Sequence, residues 1–296
     1  MELHHTYAAI AALGYAIGAV FSKRALSKGA GILRLSFVMN FVFLLVFTVL
    51  LAQHKGAIPW EKVHLPVLTG VLFFIGQLFT LAAIRIGDVS LQTPVMGTKA
   101  VFAVLLAVVC GTEVIGIPMV LAAVIAMLGV AFLGFSGNGT ERAGISITLA
   151  SLSSLFFAGS DTMVGYCASS FGVPLFLFIA ILVNALLSFV LVPFFNEPLR
   201  VIPSKAWPWI LAASGLMALQ ALLLNYTLGR YQHVAEVNVL YSTRGLWSVL
   251  IGAAAVRLFR QETEESQSRI YILRFTGALL MCAAIVILFY PNLTAK

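Results

Sequence analysis

An all-α polytopic membrane protein, with ten transmembrane helices arranged as two inverted five-helix repeats, is the fold class this sequence predicts. Three observations predict it. Of 296 residues, 61% are hydrophobic and only 10% are charged, with a mean hydropathy of +1.02. A soluble domain is about half apolar and a quarter charged, so this chain has too little charged surface to coat a globule in water. Ten apolar runs near the length of a membrane-spanning helix follow one another with short connections. The basic residues are spread unevenly among those connections, as the positive-inside rule requires of a spanning chain.

The runs fall at roughly 6–22, 33–52, 65–86, 89–110, 114–135, 144–168, 172–195, 207–229, 234–256 and 270–290. The first follows Met1-Glu2-Leu3-His4-His5, which lacks a basic leader region, so it reads as a retained span. Its Gly14 and Gly18 form a G-x-x-x-G that permits close helix approach. The second and third runs are separated by Gln53–His64, with Pro59 and the interfacial Trp60. The third carries a mid-span amide, Gln77, and the fourth carries Gln92, Met96 and Lys99. The fifth is wholly apolar in character, while the sixth contains Asp161. After the seventh, Asn196–Ala206 holds Pro198 and Pro203. Trp207 and Trp209 open the eighth at the membrane border, and Asn225 lies within it. The ninth carries Glu236, Asn238, Tyr241, Arg244 and Trp247. Arg257–Arg269 connects it to the tenth, which ends at Tyr290 and Pro291. Alternating ten-residue segments, the mark of a membrane β-barrel, are missing.

An internal repeat is legible at a shift of 145 residues. Arg85 then falls on Arg230, Thr98 on Thr243 and Lys99 on Arg244. The halves are 1–143 and 144–296, with five spans each. An odd number of spans per half makes the second half enter the membrane in the opposite sense, which places a binding site between the halves near the midplane. Odd-numbered connections hold 12 of the 18 Lys and Arg, even connections and termini hold 4, and span interiors hold 2. That count predicts odd connections in the cytoplasm and both termini outside.

The net charge of +7 therefore has a membrane explanation and needs no nucleic acid. Cys110, Cys167 and Cys282 form no C-x-x-C pair and read as small apolar residues. His4 and His5 lack further ligands at metal-binding spacing, so no metal is expected. The triplets at Asn138 and Asn292 match a glycosylation pattern that arises often by chance.

Lys99 and Arg244 are the sharpest signal of a site. Each lies about ten residues inside its span, where a charge costs roughly 2.5–3.5 kcal/mol. At repeat-matched positions, two cations suit a carboxylate or phosphate, Arg by a two-pronged grip and Lys as a point charge. Helical spacing puts Gln92, Met96, Lys99 and Ala103 on one face, with Val237, Tyr241, Arg244 and Ser248 as counterparts. Tyr241 and Trp247 are candidates to stack on a substrate. Gln77, Asn225 and Asn238 are candidate polar contacts. Asp161 and Glu236 are the coupling or gating candidates, and Asp161 could pair with either Lys99 or Arg244. The bland alternative is that these charges form structural ion pairs.

Residues 94–113, from Pro94-Val95 through Lys99-Ala100-Val101-Phe102 to Gly111-Thr112-Glu113, resemble the fourth helix of the drug/metabolite transporter superfamily in its ten-helix EamA-like form. Asn238 through Ser248 is similar to the matching helix of the second half, and Gly277-Ala278-Leu279-Leu280 to the start of the last. No Gly-Glu follows the ninth span, where Glu262 comes late. The resemblance implies an exporter or exchanger of small metabolites such as amino acids, amines, nucleotide sugars or sugar phosphates. It implies no cofactor and no ATP site, and it places both termini in the cytoplasm, against the charge count.

The reading from residues and resemblance together is a secondary transporter, not an enzyme, in a bacterial inner membrane. It moves a small polar metabolite, with an anionic one favoured and amino acids or aromatic amines as the alternative. Expected partners are the substrate, surrounding lipid and either a coupling proton or a counter-substrate, with the chain a monomer or homodimer. Two rivals are a membrane-embedded lipid-modifying enzyme and a non-transporting scaffold or sensor. The first lacks H-E-x-x-H, G-x-S-x-G and any aspartate cluster.

Overall fold

The computed structural model describes residues 3–54, 56–86, 95–110, 116–134, 143–248, 250–251 and 268–289. Among them all regular structure is helical and no strand occurs. The helices are α1 Leu3–Ser27, α2 Ile32–Leu51, α3 His64–Ile86, α4 Thr98–Val109, α5 Ile117–Gly134, α6 Ala143–Phe171, α7 Val173–Leu187, α8 Trp207–Tyr231, α9 Val234–Tyr241 and α10 Ser268–Phe289. Among the described residues six segments are long and apolar enough to cross a membrane: Leu3–Ser27, Ile32–Leu51, Trp60–Ala83, Gly144–Phe171, Val173–Phe194 and Ser204–Tyr231. Shorter apolar stretches at Thr98–Val109, Ile117–Phe132 and Phe275–Ile287 accompany them. The chain is an all-α, multi-pass membrane protein.

Local chemistry sets the ends. Gly31 and Gly172, with φ of 73° and 97°, precede the first residues of α2 and α7. Only glycine takes such angles freely, and each allows the chain to reverse in a tight connection. Pro174 and Pro208 sit in the first turns of α7 and α8, where no donor is lost. Past Leu187 the seventh run tightens into a 3-10 helix, Ser188–Phe194, around Pro193.

Two expectations about extent are corrected. The first span, expected at roughly 6–22, runs over Leu3–Ser27 and takes in His4 and His5, both buried. The ninth run is not one helix. α9 ends at Tyr241, a turn occupies 242–243, and helix resumes at 244–248. The cause is local competition for carbonyls. Asn238 donates to the carbonyl of Val234, Ser242 to that of Val239 and Thr243 to that of Leu240, and such side chains divert the backbone from helical pairing.

Contacts divide the chain into two compact units, one of 75–162 and 233–296 and the other of 2–74 and 163–232. Each takes segments from both sequence halves. In the first unit α5 packs along α10 and against α4 and α9. Small residues allow this: a Cβ on Gly129 would lie 3.0 Å from the Gly277 carbonyl, and one on Gly97 2.7 Å from Val130 Cβ. In the second unit α1 lies on α8, and Gly14 and Gly18 face Gln220 and Met217 at 3.1 and 3.2 Å. The G-x-x-x-G of the first span is therefore a packing face. In that unit Asn40 donates to Ser188 Oγ at 2.6 Å between α2 and the end of α7.

Candidate functional site

The candidate site lies within the first unit and is built on two broken helices. Residue 95 is helical, a turn follows at 96–97, and α4 begins at Thr98. The Thr98 hydroxyl donates to the Val95 carbonyl at 2.6 Å, and the Ala100 amide to the Gly97 carbonyl at 3.2 Å. At the second break the Thr243 hydroxyl donates to the Leu240 carbonyl at 2.7 Å, and the Gly245 amide to the Ser242 carbonyl at 3.0 Å. These two bonds of the first break have counterparts 145 residues away. Lys99 and Arg244 thus occupy the same place in two like pieces of backbone, in the first turn of a helical segment.

The two cations meet around one ring. Lys99 Nζ lies 5.3 Å and Arg244 Cζ 4.6 Å from the ring centroid of Tyr241, within cation–π range. Arg244 also donates through Nη2 to the Met96 carbonyl at 3.2 Å, in the turn of the other break. Lys99 Nζ lies 2.6 Å from Asp161 Oδ2 on α6. Lys99, Asp161, Tyr241 and Arg244 are each less than 10% exposed. Of the two partners open to Asp161 in the sequence, the structure selects Lys99. The described cluster holds two cations and one carboxylate.

The other candidates divide. Met96 contributes its carbonyl to Arg244 and is buried, and Asn238 is buried on α9 with its amide turned to its own helix. Trp247 is half-buried in the turns that follow the second break. Gln77 is half-buried on α3. Asn225 belongs to the second unit and donates to the Ala221 carbonyl of its own helix. Glu236 sits in the first turn of α9, 3.9 Å from His233 Nδ1. Gln92 and Glu113 lie outside the described residues.

Charge-based reading overlooks a seam of hydroxyls on α6. Ser146 donates to the Ala83 carbonyl at 3.1 Å, Ser153 pairs with Thr80 at 2.6 Å, and Ser154 donates to the Val95 carbonyl at 3.4 Å. With Asp161 they recur at steps of seven and eight, one stripe of a helix. That spacing was the available signal. The seam ties α6 to α3 and to residue 95 beside the first break, and so holds Asp161 in register with Lys99.

Comparison with known proteins accords with this architecture. A solved structure described only as the crystal structure of a protein superposes with a TM-score of 0.72 at 13% identity, covering 96% of this chain and 97% of its own. At that identity the likeness is one of fold. No curated protein matches. Residues 3–135, which include α1 to α5 and the first break with Lys99, match the EamA-like transporter family. The match covers slightly less than half of the 296 residues, so it is the first part of the chain that is similar to EamA-like transporters.

Proposed function

We propose that this protein is a secondary transporter of a small metabolite bearing a carboxylate or phosphate, working by alternating access. The observation that carries the reading is the cluster at the two breaks, where Lys99 and Arg244 share the Tyr241 ring and one carboxylate, Asp161, accompanies them. The positive ends of helical segments beginning at the breaks add to the attraction. In transporters of repeated architecture, discontinuous helices of this kind hold substrate near the membrane midplane. Arg244, fixed by Met96, grips two oxygens of the anion. Lys99 turns from Asp161 to the anion, and the pair re-forms on release. Rocking of the helices around that exchange presents the site to each side in turn.

The test is thermal unfolding of the purified protein against organic acids, sugar phosphates, nucleotide sugars, amino acids and amines. A ligand at about 100 times its Kd stabilises by roughly 2.7 kcal/mol. Anionic compounds are expected to raise the melting temperature of the wild type. They are expected to fail with Arg244→Gln and with the doubly neutral Lys99→Met/Asp161→Leu, which leaves no buried carboxylate unpaired. A shift produced by amines, or an anion shift that survives both variants, rejects an anionic substrate.

A further inference from the structure

The second unit carries a basic surface that the transport reading does not use. It forms where the end of α1 and the short turn to α2 meet the connection between α7 and α8. Residues 23–34 and 195–206 together hold six cations, Lys23, Arg24, Lys28, Arg34, Arg200 and Lys205, and a single acid, Glu197. These segments are more than 160 residues apart in sequence, yet they are packed together. A Cβ on Gly29 would lie 3.4 Å from Pro203, and Ala25, Ala30 and Leu35 share a buried cluster with Ile202, Ala206 and Ile210.

One cation is spent inside the surface. Arg34 is 7% exposed, donates to the Gly29 carbonyl at 2.9 Å and approaches Glu197 Oε2 at 3.3 Å, which engages the only acid of the two segments. Lys23, Lys28, Arg200 and Lys205 stay exposed. Depth is set by the aromatic residues. Trp209 is half-buried in the first turn of α8, and the Arg24 guanidinium lies 5.7 Å from its ring centroid. Tryptophan at the end of an apolar span marks the headgroup layer. The four exposed cations therefore stand at the level where lipid phosphates stand, on two segments locked into one piece.

We infer that this face binds the headgroups of anionic phospholipids. Clusters of four or more Lys and Arg beside a spanning helix are attracted to anionic leaflets. Solvent alone accounts for scattered basic loops. It does not account for an arrangement in which the one available carboxylate is engaged by a buried arginine while every remaining charge is a cation at headgroup depth.

The test uses the full-length protein in detergent, with thermal unfolding followed as phosphatidylglycerol, phosphatidylcholine or inorganic phosphate is added. Phosphatidylglycerol is expected to raise the melting temperature more than phosphatidylcholine. That excess is expected to fade as salt rises from about 50 to about 500 mM, which shortens the screening length from roughly 14 to 4 Å. Lys23→Gln/Lys28→Gln and Arg200→Gln/Lys205→Gln are each expected to lose about half of the excess, since both segments contribute. The variant with Lys23, Lys28 and Lys205 changed to Arg is expected to keep it. Equal shifts from the two lipids overturn the inference. So does an undiminished excess in both double variants, or the same shift from inorganic phosphate, which would mean a free-anion site. Arg34 and Arg24 are left intact because they hold the surface together. None of these variants touches Lys99 or Arg244, so failure here leaves the substrate reading standing.

Discussion

Removing Lys99 should destabilise the protein far more than removing Lys99 and Asp161 together. At 2.6 Å and an effective dielectric constant of about 20, the Coulomb attraction of the pair is about 6 kcal/mol. Desolvation of two buried ions takes back most of that, so the net contribution of the pair is small. Breaking it is another matter. Lys99→Met leaves the Asp161 carboxylate 5% exposed beside α4 without its ammonium, and such a residue costs about 3–5 kcal/mol. Asp161→Leu leaves Lys99 buried with Arg244 on the same Tyr241 ring, which is at least as costly. The double variant replaces two ions by apolar side chains of similar volume and is expected within about 1 kcal/mol of wild type. Unfolding of all four proteins in one detergent, followed by tryptophan fluorescence, closes the cycle. A coupling energy of at least about 2 kcal/mol is expected. If Lys99→Met costs less than about 1 kcal/mol, or if the double variant is as unstable as the worse single one, the pair does not hold α4 to α6 and the exchange between Asp161 and substrate is refuted.

Three further outcomes are expected. Gly97→Ala places a methyl 2.7 Å from Val130 Cβ, so it should cost about 1–3 kcal/mol; Gly215→Ala, with nothing within 4 Å, should be neutral or stabilise by up to about 1 kcal/mol, and thermal unfolding of the two compares them. The side chain of Asn184 is wholly buried and its amide has no hydrogen-bond partner among the described residues, so Asn184→Leu should stabilise by about 1–3 kcal/mol in the same assay. Tyr241→Leu removes the ring shared by the cations and should weaken anion binding by about 0.5–2 kcal/mol in a titration, whereas Tyr241→Phe keeps the ring and should retain most of the affinity.

The membrane architecture was legible because hydrocarbon imposes one demand on every span: length and apolarity together. The expected runs at 33–52 and 65–86 fall within one residue of α2 and α3. The two buried cations were legible for the same reason, since Lys99 and Arg244 stand out in apolar surroundings. What could not be read was whatever depends on neighbours. Hydropathy is blind to the break at 242–243, because the break comes from hydroxyl and amide side chains bonding to their own backbone. Asp161 had two cations open to it, and the choice of Lys99 depends on the register of α6 against residue 95, set by a row of serines that carry no charge. The packing units were hidden as well, since their boundaries fall inside α3 and α6, where composition does not change. The asymmetry of the basic residues was visible, but not that Gly29 and Pro203 bring two distant basic segments together.

The paired breaks separate two things that proteins usually alter at once. Each break has a threonine hydroxyl and a main-chain amide bonded at matching positions, and the side chain that follows, Lys99 or Arg244, is the one through which the proposed transport would meet its ligand. A descendant of this gene that exchanged Lys99 would have to change Asp161 with it, since the two are paired, whereas the bonds between Thr98 and Val95 and between Thr243 and Leu240 would be untouched. If the proposed transport holds, new cargo preferences would lie a codon or two apart, and two copies of the break would let one position explore while the other keeps the older preference.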